Sequence, residues 1–252
     1  QITARIETLR SQLAKRQNER VTVLSGRAVN QDGSYLPQPG TLKRSLAQIA
    51  YESSVLPRWG TFLYLCANAT GGKVILELGS SAGISGCYLS SAQTCQRFIT
   101  VEGASELAKL AETNLCRIAR NFEVVNARFA DALDRILPTL PHGVDMVFLD
   151  GDKHKTSLLR SFERLASHLN SGSVVVFDDI YWSSEMWQAW QVLRSWRGFS
   201  HTITVGRFGV CFWIGDSLEP KTFNLYRFAG MDFYRLKQRM ENWRRRYDVA
   251  AQ

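Results

Sequence analysis

From Val74 onward the chain alternates short apolar runs with segments whose apolar residues recur every three or four positions. Val74-Ile75-Leu76-Glu77-Leu78 reads as a strand, followed by a helix over 83–91. Arg97 to Val101 is a second strand, followed by a helix over 104–119. A strand near Glu123-Val124-Val125 leads to a helix near 131–137. Val144 to Leu149 leads to a helix over 156–169, and Ser173 to Phe177 to one over 184–196. Continuous apolar runs of this length suit strands covered on both faces. Strands alternating with helices predict βαβ units and a parallel sheet with helices on both sides, a doubly wound α/β fold. The pattern changes at the end. His201 to Val205, then Gly206-Arg207-Phe208-Gly209, then Val210 to Ile214 predict an antiparallel hairpin.

Before Val74 the rhythm is different. Ile2, Ile6, Leu9 and Leu13 recur at helical spacing among charges, which predicts an amphipathic helix within residues 1–20 and a surface that could seed a homodimer. Residues 25–40 are rich in Gly, Pro, Asn, Asp and Gln and read as a loop, either a lid over a pocket or a plain connection. Helical pattern resumes over 41–54 and from Arg58 to Asn68. Beyond the hairpin, Met231 to Tyr247 is helical in pattern and basic, through Arg235, Lys237, Arg239, Arg244, Arg245 and Arg246. Such a run is a solvated face or a clamp for an acidic partner. Three segments are expected: an N-terminal helix and loop over 1–40, a core over 41–215 and a basic extension over 216–252.

The 252 residues, 45% hydrophobic, suffice for one sizeable core. No apolar run approaches the ~20 residues of a membrane span, and no secretory signal pattern is visible. Five cysteines (Cys66, Cys87, Cys95, Cys116, Cys211) are scattered without a C-x-x-C pair, as expected of reduced thiols in a cytoplasmic protein. The chain starts at Gln1, so it is expected to be processed or cut from something longer. A net charge of +8 leaves an RNA or acyl-carrier partner open.

Ligands of open parallel sheets bind at the carboxyl ends of the strands. After the first parallel strand comes Glu77-x-Gly79-Ser80-Ser81-x-Gly83, where glycines admit a ligand close to the backbone and the following helix presents free N–H groups. The spacing is neither a dinucleotide G-x-G-x-x-G nor a P-loop. Glu102-Gly103 ends the second strand, placing a carboxylate that can accept from ribose hydroxyls. Asp131, in Ala130-Asp131-Ala132, either meets an exocyclic amine or caps the next helix. Asp150-Gly151-Asp152-Lys153-His154 follows the fourth strand, and Asp178-Asp179-Ile180-Tyr181-Trp182 the fifth.

Together, Glu77-Leu78-Gly79-Ser80-Ser81-Ala82-Gly83, Val101-Glu102-Gly103 and Ala130-Asp131-Ala132 resemble the class I S-adenosylmethionine-dependent methyltransferases, over roughly residues 42–214. That resemblance implies a Rossmann-like, seven-stranded sheet ending in a reversed strand. It implies a cofactor site in which Gly79 and its neighbours line the methionine part, Glu102 holds the ribose and Asp131 lies near the adenine. Phe148-Leu149-Asp150-Gly151-Asp152-Lys153 is similar to the corresponding motif of the catechol and caffeoyl-coenzyme A O-methyltransferases. It implies a divalent metal, Mg²⁺ or another hard cation, on Asp150, Asp178 and Asp179, with Lys153 as the base for a substrate hydroxyl. A Lys in that role needs a lowered pKa, which a nearby cation would supply. The sequence departs from that pattern where Asp179 replaces an Asn. Phe177 to Met186 and Arg58-Trp59-Gly60 resemble a different branch of small bacterial class I enzymes.

His154 is a second candidate base, and Tyr181 and Trp182 candidate walls of a flat acceptor pocket; Trp187 and Trp190, at helical spacing, are expected in the core. The expected activity is O-methylation of a small or carrier-tethered metabolite. The alternatives are a nucleic-acid methyltransferase, a non-catalytic cofactor-binding domain of a larger biosynthetic enzyme and a nicotinamide oxidoreductase. Against the first stands Leu149-Asp150-Gly151-Asp152-Lys153 where an Asn-Pro-Pro-Tyr-like motif would clamp a flipped base.

Overall fold

The computed structural model describes residues 2–25, 40–215 and 219–225. The basic segment 231–247 and most of the 25–40 loop lie outside the described residues. No helix among the described residues is long and apolar enough to cross a membrane.

Helix α1 (Ile2–Lys15) leads to a hairpin of β1 (Arg20–Ser25) and β2 (Gly40–Ser45), then to α2 (Leu46–Glu52) and α3 (Pro57–Ala69). The alternating region follows as β3 (Val74–Leu78), α4 (Ile84–Ser90), β4 (Arg97–Glu102), α5 (Ser105–Leu115), β5 (Phe122–Asn126), α6 (Phe129–Ile136), β6 (Val144–Leu149), α7 (Lys155–Ala166), β7 (Leu169–Phe177) and α8 (Ser184–Leu193). It ends in β8 (Phe199–Val205), β9 (Phe208–Trp213) and β10 (Lys221–Asn224). The large sheet has the order β10-β8-β9-β7-β6-β3-β4-β5. Only β9 runs against its neighbours, β7 and β8, so the predicted hairpin is present in an otherwise parallel sheet.

Two expectations change. The sheet has eight strands rather than seven, because Lys221–Asn224 pairs in parallel with His201–Thr204 and continues the sheet past residue 215. The helical reading of 41–54 splits: Thr41 to Arg44 pair with Val21 to Leu24, and the helix starts only at Leu46. A capping box fixes that start. The Ser45 hydroxyl accepts from the Gln48 amide, and the Gln48 side chain accepts from the Ser45 amide.

The central strands are covered on both faces, as their unbroken apolar runs require. Ile75, Phe98, Phe148, Val174 and Val176 face one layer with Trp59, Leu63, Ile84 and Tyr88 from α3 and α4. Leu76, Val101, Val147, Val175 and Phe177 face the other with Leu133, Phe162, Met186 and Trp190 from α6, α7 and α8. Helix α1 packs on the first layer through Ile6, Leu9 and Leu13, so this apolar face is used within the chain. Arg10 is buried with it and donates to the carbonyls of Ala50 (2.9 Å) and Val55. Trp190 is fully buried, as expected, and donates from Nε1 to Thr204 Oγ1 at 3.0 Å.

Candidate functional site: the carboxyl edge of the sheet

Three backbone hydrogen bonds bring the strand exits to one level. The amide that follows each strand donates to a carbonyl at the end of its neighbour: Gly79 to Val101 (2.9 Å), Asp150 to Leu78 (2.9 Å) and Asp178 to Leu149 (2.9 Å). The loops after β3, β4, β6 and β7 therefore begin side by side, although they are separated in sequence.

The β3 and β6 exits approach so closely that a Cβ on Gly79, whose φ is +108°, would lie 2.7 Å from the Asp150 carbonyl oxygen. Only glycine fits there. Gly151 is similarly covered by the ring of Phe129. Among the described residues, the non-glycine positions with positive φ are Ser81 (47°), Asp152 (47°) and Asp179 (54°), each just past a strand of this edge. Such conformations persist only where surrounding structure holds them.

Glu102 joins the first two loops. Its Oε2 accepts from the Ser81 amide and its Oε1 from the Ala104 amide, both at 2.9 Å. Burial raises this carboxyl above the usual range, while the amides of Ala104, Ser81 and Gly103 pull it back. Each oxygen keeps a lone pair for a hydroxyl. Ser81 Oγ is buried without a partner among the described residues. A buried orphan hydroxyl beside a clasped carboxylate in a glycine cradle fits the polar head of S-adenosylmethionine. Gly103 packs against Leu24, so β1 also borders the site.

Glu77 and Ser80 sit beneath this turn rather than on its surface. Both are buried, in a chain where Thr100 Oγ1 donates to Glu77 Oε2 (2.6 Å) and lies 2.5 Å from Ser80 Oγ. Burial pushes the Glu77 carboxyl up to about 7, and Glu77 Oε1 has no partner. Asp131 does not cap α6. The cap position is Arg128, and Asp131 stands exposed in the first turn.

Asp150, Asp178 and Asp179 come together, with a carboxylate oxygen from each within 4.8 Å of the others. Two cations of the chain already lie among them. Lys153 Nζ is 2.7 Å from Asp150 Oδ1 and 3.4 Å from Asp179 Oδ2. Arg207, in the β8–β9 turn, donates from Nε to Asp178 Oδ1 (2.5 Å) and from Nη2 to Asp178 Oδ2 (2.7 Å). The same Nη2 is 2.6 Å from Asp179 Oδ1. Burial works to lower Lys153, but the carboxylates of Asp150, Asp179 and Asp178 outweigh it and hold the ammonium above the usual lysine range. Among these protein groups the anions favour the ammonium over the neutral amine that a basic Lys153 needs.

His154 occupies the cap position of α7, with Nδ1 3.7 Å from Glu185 Oε2. Glu185 also accepts from the Lys155 amide at 3.1 Å. Tyr181 stacks on Trp187 with ring centroids 4.8 Å apart, and Trp182 is half exposed. Trp187 is partly buried and packs against the second core layer, as expected, while its ring also carries Tyr181 at the edge.

A family model described as a methyltransferase domain matches residues 76–180, which include the loops after β3, β4 and β6 and the start of the loop after β7. Over those residues the chain is similar to methyltransferase domains. It is 35% identical over 145 residues to a catechol O-methyltransferase of Mycobacterium tuberculosis, covering 53% of this chain and 63% of that protein. It is 36% identical over 104 residues to one of Niastella koreensis, covering 40% and 47%. The chain thus spans less than two thirds of the length of these curated relatives. Among solved structures, it resembles the O-methyltransferase TomG of Streptomyces achromogenes, involved in tomaymycin synthesis and solved in complex with SAM. There the TM-score is 0.54 and the identity 26%, over 67% of this chain and 87% of that one.

Arg207, Thr100, Glu185 and Phe129 escaped the sequence reading. Arg207 was within reach. A hairpin paired antiparallel to β7 must return its turn to the end of β7, where the two aspartates lie.

Proposed function

We propose that the chain transfers a methyl group from S-adenosylmethionine to a hydroxyl of a small or carrier-tethered metabolite. The observation that carries this reading is the convergence, on one sheet edge, of the Gly79–Ser81 cradle, the Glu102 clasp and the Asp150-to-His154 loop. The named catechol O-methyltransferases and the SAM-bound relative support the same reaction class.

Transfer from a sulfonium needs the acceptor oxygen about 3 Å from the methyl carbon, in line with the leaving sulfur. The acceptor must also lose its proton. His154, oriented by Glu185, is the group we assign to take it. Lys153, held as an ammonium by Asp150 and Asp179, supplies positive charge where an alkoxide or phenoxide develops. Asp150 fixes that ammonium. The Tyr181–Trp187 stack and Trp182 offer aromatic faces for a flat acceptor.

The test has two steps. Titration with S-adenosylhomocysteine must show binding, and labelled S-adenosylmethionine must then transfer its methyl to a member of a catechol, phenol and carrier-bound hydroxyl panel. Binding without transfer to any of them would leave a cofactor-binding module. For an accepted substrate, His154→Gln is expected to lower kcat by about 10²–10⁴ with S-adenosylhomocysteine affinity unchanged. An unchanged kcat removes His154 from the role.

A further inference from the structure

The acidic triad has the composition of a hard-cation site, but most of its oxygens are committed: Asp150 Oδ1 holds Lys153 at 2.7 Å. Both oxygens of Asp178 accept from Arg207, and Asp178 Oδ1 also accepts from the Asp179 amide at 2.5 Å. Asp179 Oδ1 meets Arg207, and its Oδ2 meets Lys153. A divalent cation demands several oxygen ligands at about 2.0–2.6 Å. To collect them here it would have to break a two-pronged guanidinium–carboxylate pair and then sit against two positive charges. The residues as arranged do not fit a metal.

We propose that Arg207 takes the place of a divalent cation in this domain, as a positioning residue that holds Asp178 and Asp179 and leaves the site independent of metal. Three observations support it. The planar fork of arginine spans both oxygens of one carboxylate while reaching a second, which a lysine could not do. The Asp178 side chain is fully buried and that of Arg207 is 23% exposed, so the pair is a part of the fold rather than a surface contact. The turn that delivers it is also pinned, because the Ile180 amide donates to the Arg207 carbonyl at 3.2 Å.

This inference rests on the methyltransferase reading only in assigning the edge to the cofactor. The experiment separates the two. Wild-type protein is first titrated with S-adenosylhomocysteine; no binding would sink the methyltransferase reading and says nothing for Arg207. Mn²⁺ is then titrated, with and without S-adenosylhomocysteine, and free Mn²⁺ is followed by electron paramagnetic resonance. The expected result is an undiminished free signal into the millimolar range. Stoichiometric Mn²⁺ binding at micromolar concentration would overturn the proposal. Arg207→Gln, checked for folding by circular dichroism, is expected to bind Mn²⁺ at least about tenfold more tightly than wild type, because the carboxylates it frees are ligands of the right kind. No gain of Mn²⁺ affinity in a folded variant would also overturn it. If that variant does not fold, the wild-type titration decides alone.

Discussion

Glu77 is the place where pH should act on this fold. Its carboxyl is fully buried, has one unpartnered oxygen and titrates at about 7 instead of 4.5. The folded state therefore holds a proton that the unfolded chain releases between those values. No stability is lost below pH 4.5. The loss grows as pH rises toward 7 and is complete above it. With both values, the cost at pH 8 exceeds that at pH 5 by about 2.5 kcal/mol, at about 1.36 kcal/mol per pKa unit. Glu77→Gln keeps the shape and the acceptor for Thr100 but cannot ionise. Calorimetric melting of both proteins at pH 5 and pH 8 isolates the effect, because other titrating groups cancel in the difference. For a domain of this size 1 kcal/mol is about 2–4 °C, so the variant should gain about 5–10 °C on wild type between the two pH values. Parallel pH profiles would refute the reasoning and mean that Glu77 is as easily ionised folded as unfolded.

Gly79→Ala places a methyl 2.7 Å from the Asp150 carbonyl at a φ of +108°. It should weaken S-adenosylhomocysteine binding and lower the melting temperature, at a cost of about 1–3 kcal/mol. Glu102→Ala frees the Ser81 and Ala104 amides and removes the ribose acceptor. Calorimetric titration should show S-adenosylhomocysteine affinity down by about 10–100-fold, from the loss of about 1.5–3 kcal/mol in hydrogen bonds to a charged group. Arg10→Met keeps the apolar stem but orphans the Ala50 and Val55 carbonyls. Melting should register a loss of about 1–3 kcal/mol, and no loss would mean that α1 is loosely attached.

The parallel sheet was legible because most of its strands carry a short apolar run, such as Ile75-Leu76, Met146 to Leu149 and Val174 to Phe177, with turn residues between them. The site was legible where it is local. Gly79, Ser81, Glu102, Asp150 and Lys153 stand on loops whose order along the sheet follows from the βαβ rule. What the sequence hid is non-local or depends on depth. Nothing in Glu77-Leu78-Gly79 says that the carboxylate points under the turn, and nothing near Asp131 says that the helix is capped at Arg128 and starts at Phe129. The strand Gly40–Ser45 reads as helix because its residues carry no alternation and its partner lies across a long loop. Lys221–Asn224 has only Phe223 as an apolar residue and is exposed, so it lacks the apolar signature of a strand and declares itself through pairing with β8.

The hairpin that delivers Arg207 is also among the last of the described elements to leave the ribosome. The residues between Asp179 and Arg207 take about 1–6 s to synthesise at about 5–20 residues per second. For that interval β7 has β6 on one side and an open edge on the other, with Val174, Val175 and Val176 exposed along it. The two aspartates at its tip have no guanidinium. β9 closes that edge and brings the guanidinium to the tip in one step. A chain stopped short of residue 207 is not a smaller version of this domain but an intermediate with a sticky strand and uncompensated buried acid.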